Sequence, residues 1–145
     1  MPLLPRKGVL AIAAVIDVAL HAQGRPISAK TLAARHGLPP RHLESVLQAL
    51  VRDGILKGVR GPRGGYELAR ERRRVTANDI LRAAGTVEEV NDPVLNSDLL
   101  NKVVVPALTT AENEFGVALS RINLEDMARS AESLKLRSGS ATGTA

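Results

Sequence analysis

Residues 37–70 read GLPPRHLESVLQALVRDGILKGVRGPRGGYELAR, and their punctuation decides the fold. Gly37 suits the left-handed position at a helix C-terminus, and Pro39 cannot continue a helix. Pro40–Arg52 then carries Leu43, Val46, Leu47 and Leu50 at i, i+3, i+4 and i+7, the stripe of an amphipathic helix. Its other face carries Arg41, His42, Glu44, Ser45, Gln48 and Arg52. Asp53-Gly54 stops that helix. Ile55–Arg60 and Tyr66–Ala69 have strand character, and Gly61-Pro62-Arg63-Gly64-Gly65 joins them as a hairpin loop.

Upstream, the spacing predicts a first helix over Lys7–Ala22, ended by Gln23-Gly24-Arg25-Pro26. Ser28 is placed to cap a short helix, Ala29–His36, with Leu32 and Ala33 inward. A short helix, a glycine turn and a second helix with a polar outer face make a helix-turn-helix. The hairpin that follows directly makes it a winged helix-turn-helix.

Downstream, Arg70-Glu71-Arg72-Arg73-Arg74 is a basic run, and Thr76 caps a helix over about Ala77–Ala84 with Ile80 and Leu81 inward. Gly85–Asn101 reads as loop from its Gly, Pro, Asn and Asp content. From Leu99 the apolar spacing is helical again, through Leu100, Val103, Val104, Leu108, Ala111, Phe115, Ala118, Leu119 and Ile122. Pro106 either kinks this helix or sits in its first turn. Asn123 caps a last short helix to about Leu136, and Ser138–Ala145 (SGSATGTA) is a low-complexity tail expected to be disordered. The expected fold is mainly α with a small β-hairpin. Residues 1–85 form the winged helix-turn-helix, 86–137 the linker and dimerisation helices, and 138–145 the tail.

The chain of 145 residues has one Phe, one Tyr and no Trp, so its core must be built from Leu, Val, Ile and Ala. It has no cysteine, which excludes disulfides, thiol nucleophiles and thiolate-bound metal. Residues 1–85 carry fifteen Lys/Arg against six Asp/Glu; residues 86–145 carry five against nine. That split points to a basic half that faces a polyanion. Arg6-Lys7 followed by GVLAIAAVIDVALHA has the outline of a leader peptide, but Asp17 interrupts it and no small-x-small cleavage site follows. The run is too short to span a membrane. The expectation is a cytoplasmic protein without a membrane partner. Metal-ligand spacing, a nucleophile elbow and a phosphate loop are all lacking, so no enzyme is expected.

The candidate DNA-binding residues follow from this frame. Arg41, His42 and Ser45 can donate to bases or phosphates from the start of the recognition helix, with Gln48 further along it. Glu44 can accept from a cytosine amino group, or pair with Arg41 or Gln48. Arg60 and Arg63 are the wing's cations, and Gly64 belongs to the small residues that let the loop approach a minor groove. Ser28, Lys30 and Thr31 open the second helix, whose N–H groups can meet a phosphate. Tyr66 is read as packing the wing against the core, and His21 as a helix-end residue. Leu100, Val104, Leu108, Ala111, Phe115 and Leu119 are the candidate dimer interface, because a long helix outside the winged unit must bury its apolar side.

The 37–70 stretch, above all its VRGPRGGYELAR, resembles the Rrf2 family of bacterial transcription regulators. Ala19-Leu20-His21, Val75-Thr76 with Asp79-Ile80-Leu81, and Ile122-Asn123-Leu124-Glu125-Asp126-Met127 resemble further family pieces in order, over roughly residues 3–128. The resemblance implies a dimeric regulator, and a repressor on a pseudo-palindromic operator is expected. Many members hold an iron–sulfur cluster on three cysteines between the post-wing helix and the dimer helix. Here that segment is GTVEEVNDPVLNSDLLN, without cysteine, so neither the cluster nor another cofactor or metal is expected. Other members respond to a small molecule or a partner protein, which leaves room for an unidentified effector. The competing readings are a winged helix used as a protein-interaction module, since fold does not fix function, and a small-molecule-responsive regulator with a pocket between the dimer helix and the winged unit.

Overall fold

The computed structural model describes residues 4–21, 25–85 and 97–134. Its elements in chain order are α1 (Arg6–His21), α2 (Ala29–Arg35), α3 (Pro40–Arg52), the strands β1 (Leu56–Val59) and β2 (Gly65–Leu68), α4 (Ala77–Ala83), α5 (Val105–Ser120) and α6 (Leu124–Ser133). A single 3-10 turn, Arg72–Arg74, joins β2 to α4. The winged helix-turn-helix is present, with α3 bounded as its sequence pattern predicts.

Local chemistry sets each boundary. Ser28 Oγ accepts from the Thr31 N–H and starts α2. Gly37, at φ 65°, ends it, and the Leu38 N–H reaches back to the Ala33 carbonyl. Gly54, at φ 75°, does the same after α3, with the Ile55 N–H donating to the Leu50 carbonyl. Both closures satisfy carbonyls a helix end would otherwise leave bare, and glycine adopts the required conformation without a Cβ penalty. Thr76 and Asp79 form a reciprocal capping box at the start of α4.

The core is aliphatic. Leu32, Leu43, Val46, Leu47, Leu50, Ile55, Leu56, Ile80 and Leu124 are buried, against an α1 face of Ala11, Ala14, Val15, Val18 and Ala19. Alanines on that face let the neighbouring helices approach closely. Each large aliphatic side chain removed from water contributes roughly 1.5–3 kcal/mol. Tyr66 packs partly buried against this cluster, as the sequence suggests.

The hairpin pairs Leu56 with Leu68, Lys57 with Glu67, Gly58 with Tyr66 and Val59 with Gly65. A further pairing joins it to the start of α2. The Ile27 N–H donates to the Tyr66 carbonyl at 3.0 Å, and the Tyr66 N–H to the Ile27 carbonyl at 2.8 Å. The C-terminal α6 is joined to the same body. The Ala77 N–H donates to Ile122 and the Leu124 N–H to Val75, both at 2.8 Å, while Leu124 and Ala128 are buried beside α1.

One expectation is corrected. The end of the expected loop overlaps the helix: residues 98–101 are helical, starting just ahead of the spacing read from Leu99, with Ser97 Oγ accepting from the Leu100 N–H and Leu100–Val104 forming a π-helical turn that runs into α5. Pro106 sits in the first turn of α5 and does not break it. Proline has no N–H to give the preceding turn, and the wider π register there, closed by the Val105 N–H on the Leu100 carbonyl, accommodates it. Residues 86–96, which hold most of the expected linker, and the tail 138–145 lie outside the described residues.

Candidate nucleic-acid interface

α3 is held by its buried stripe of Leu43, Val46, Leu47 and Leu50, which leaves the opposite face to solvent. Arg41, His42, Glu44, Ser45 and Gln48 are all exposed there. Among the described residues Glu44 forms no ion pair with Arg41 and no hydrogen bond with Gln48. The alternative role as an intrahelical partner therefore has no contact behind it. Pro39 and Pro40 open the helix without a side-chain cap. Neither proline has an N–H, and the His42 N–H donates to the Pro39 carbonyl at 3.1 Å, so the side chains of Arg41 and His42 supply the donors at this end of the helix.

The wing tip is the turn Gly61-Pro62-Arg63-Gly64, closed by the Gly64 N–H on the Gly61 carbonyl at 2.9 Å. Pro62 fits its second position, and Arg63 stands exposed at the apex. Arg60 is exposed at the end of β1, and neither arginine has an ion-pair partner among the described residues. Gly64 is half-buried, and a Cβ there would overlap the Val59 carbonyl oxygen. Its lack of a side chain serves the turn itself, whatever the turn meets.

The Ile27–Tyr66 bridge brings the start of α2 beside the base of the wing, with the Ser28 amide against Gly65. Lys30 and Thr31 are exposed; Ser28 is half-buried, and its hydroxyl is engaged by Thr31 as the cap. The structure thus joins Ser28, Lys30 and the wing as one edge, and leads α3 into β1 through the Asp53-Gly54 turn.

Not all of the basic half is free. Arg70 donates to the Asp53 carbonyl at 2.9 Å and the Gly54 carbonyl at 3.1 Å, closing the C-terminus of α3. Arg72 donates to the Ala19 carbonyl at the end of α1 and pairs at 3.5 Å with Glu132 of α6. Arg35 is bound to Asp17. Sequence reasoning missed these three internal roles. It also missed Asp17 as the hub of a buried cluster, although a lone carboxylate inside an apolar run is a visible signal.

On the proposed dimer helix, Leu108, Ala111 and Phe115 are exposed, whereas Leu100, Val104 and Leu119 are half-buried. Leu99, Val103 and Val117, outside the expected set, are exposed as well. No residue of α5 is buried.

A family model described as Rrf2, iron-dependent transcriptional regulator, matches residues 4–130. The chain is 40% identical over 84 residues to the HTH-type transcriptional regulator IscR of Vibrio atlanticus, which covers 58% of this chain and 44% of that protein. Such matches span about half the length of the curated relatives. Among solved structures, T. potens IscR superposes with a TM-score of 0.70 at 32% identity, covering 91% of this chain and 90% of that one. CymR, the global cysteine regulator of B. subtilis, superposes with a TM-score of 0.64 at 28% identity, covering 86% and 95%.

Proposed function

Because the chain belongs to the Rrf2 family of transcriptional regulators, we propose that it binds double-stranded DNA sequence-specifically, as a homodimeric repressor on a pseudo-palindromic operator. The observation that carries this reading is the outer face of α3, exposed and unpaired over a fully buried stripe and followed by an arginine-tipped wing. Arg41, His42, Glu44, Ser45 and Gln48 read base edges, while Lys30, Arg60 and Arg63 neutralise phosphates or enter the minor groove, with Ser28 and Gly64 shaping the backbone that approaches. The protein acts in the cytoplasm and has no catalytic activity of its own. Among the described residues no helix is long and apolar enough to cross a membrane.

Binding of labelled duplexes by the purified protein, followed by anisotropy at several salt concentrations, tests the reading. Affinity should fall steeply as salt rises. Arg63→Ala should weaken binding to every duplex and lower the salt slope by about 1, whereas Arg41→Ala or Ser45→Ala should cost about 1–3 kcal/mol only on sequences that carry the contacted base. Binding without salt dependence, or variants that all behave alike, would contradict it. A partner protein that buries α3 and the wing would favour the protein-interaction reading instead.

The family description names iron, and the residues here do not fit an iron centre. The chain has no cysteine. Among the described residues no three His, Cys, Asp or Glu side chains are grouped to hold a metal ion. We therefore propose regulation without a metal cofactor, and a chelator should leave DNA affinity unchanged. Response to a small molecule is supported by a cleft of about 600 Å³ between α4 and α5, where Asn78, Arg82 and Asn113 face the space beside Leu81, Phe115 and Leu119. A thermal-shift screen with metabolites, repeated on Arg82→Ala, checks that reading: a shift lost in the variant supports it, and no shift opposes it.

A further inference from the structure

The cleft between α4 and α5 is built upward from one backbone bond. The Ala77 N–H donates to the Ile122 carbonyl at its foot, so α4 leaves this point while α5 arrives at it. Just above, Asn78 lies beside Gly116: a Cβ built on Gly116 would stand 3.8 Å from Asn78 Oδ1. The two helices run antiparallel here, so residues one turn further along the same two faces stand level with each other. Those residues are Arg82 on α4 and Glu112 on α5, and both line the cleft. A guanidinium and a carboxylate thus border one opening from opposite walls, above the apolar surface of Leu81 and Leu119.

Two features of this arrangement point to a ligand. The first is the pair of charges. Arg82 and Glu112 are exposed and form no ion pair with each other, and among the described residues neither side chain has another hydrogen-bond or ion-pair partner. Opposite charges held apart at one level of a cleft are met together by a molecule that carries both complementary charges. The second is Gly116. Its φ is not positive, and 3.8 Å is an ordinary contact distance, so the fold would accept alanine there. Glycine inside a helix is less stable than alanine. Its lack of a side chain instead deepens the cleft, directly beside the two charges. The volume, about 600 Å³, is in the range of small-molecule sites.

We propose that this cleft takes a free α-amino acid with an apolar side chain. Arg82 grips the carboxylate with its two-pronged guanidinium, and Glu112 accepts from the ammonium. The Asn78 carboxamide adds a hydrogen bond at the polar end, and Leu81 and Leu119 cover the side chain over Gly116. A simple acid would leave Glu112 unmet and a simple amine would leave Arg82 unmet, which is what selects the zwitterion. The inference rests on the small-molecule reading above and gives it a ligand class.

The test uses the full chain at constant ionic strength and reads melting without DNA. The probes are L-leucine, L-methionine and L-phenylalanine, with isocaproate and isoamylamine as leucine without its ammonium and without its carboxylate. At least one amino acid should raise the melting temperature by about 3–6 °C at about ten times its Kd. The two truncated probes should give no rise at the same concentration. Arg82→Ala and Glu112→Gln should each lose the rise, whereas Arg73→Ala, which removes an exposed arginine outside the cleft, should keep it. Gly116→Ala should melt above the parent without ligand yet bind about tenfold more weakly. No rise with any amino acid, an equal rise with isocaproate or isoamylamine, or parent-like binding by Gly116→Ala would overturn the proposal. A metabolite of another class whose shift is lost in Arg82→Ala would also overturn it, while leaving the small-molecule reading in place. The same amino acids added to the DNA anisotropy assay test that reading separately: binding in the cleft with unchanged DNA affinity would oppose a regulatory response and leave the site standing.

Discussion

Gly65 sits where no side chain fits: a Cβ there would overlap the Ile27 carbonyl. The glycine pair of the wing is therefore fixed by the protein's own backbone, through the Ile27–Tyr66 bridge and the turn at Val59. Replacing Gly65 with Ala should destabilise the fold by about 1–3 kcal/mol, as overpacking does, read as a lower melting temperature. Arg63→Ala, one turn away at the exposed tip, should leave that temperature unchanged while weakening DNA binding. Such roles were hidden in the sequence because the bridge joins residues 39 positions apart. Asp17 shows the same limit. As a single charge in an apolar run it argues against a leader peptide, but its links to Arg35 and His36 depend on how α1 and α2 cross.

Elements were more legible than contacts. The stripe of α3, the caps Ser28, Thr76 and Asn123, and the stops Gly37 and Gly54 are local signals, and each operates as read. Thr76→Ala should therefore cost about 1 kcal/mol, measured by denaturant unfolding. The start of the helix before Pro106 is less legible than its apolar spacing from Leu99, because Asn, Asp and Pro crowd residues 91–98, although Ser97 and Asp98 are also the residue types that start helices. In α5 the periodicity identified an apolar surface but not which residues it leaves outermost. Leu108 is 62% exposed and Val103 58%, whereas Val104 is half-buried. If that surface joins two copies, Leu108→Glu should give a monomer by analytical ultracentrifugation and weaken operator binding, with the melting transition still cooperative. A parent that sediments as a monomer would oppose the dimer.

At the scale of the whole molecule, the charge asymmetry points to residues 1–85 as the half that meets a polyanion but overstates the cations on offer. Arg35, Arg70 and Arg72 are spent on internal carbonyls and carboxylates. Lys30, Arg41, Arg60 and Arg63 remain exposed around α2, α3 and the wing. The arrangement of α6 against α1 was not visible in the sequence, since nothing local to Leu124 or Ala128 names the helix they meet. The central claim is that this chain reads a DNA sequence through α3 and its wing. Selection of bound genomic fragments by the purified protein, followed by sequencing, tests it most directly. The account predicts enrichment of one motif with two-fold symmetry, lost when Arg41 and Ser45 are both replaced by Ala. Recovery of fragments without a common motif, or the same motif from the double variant, would contradict it.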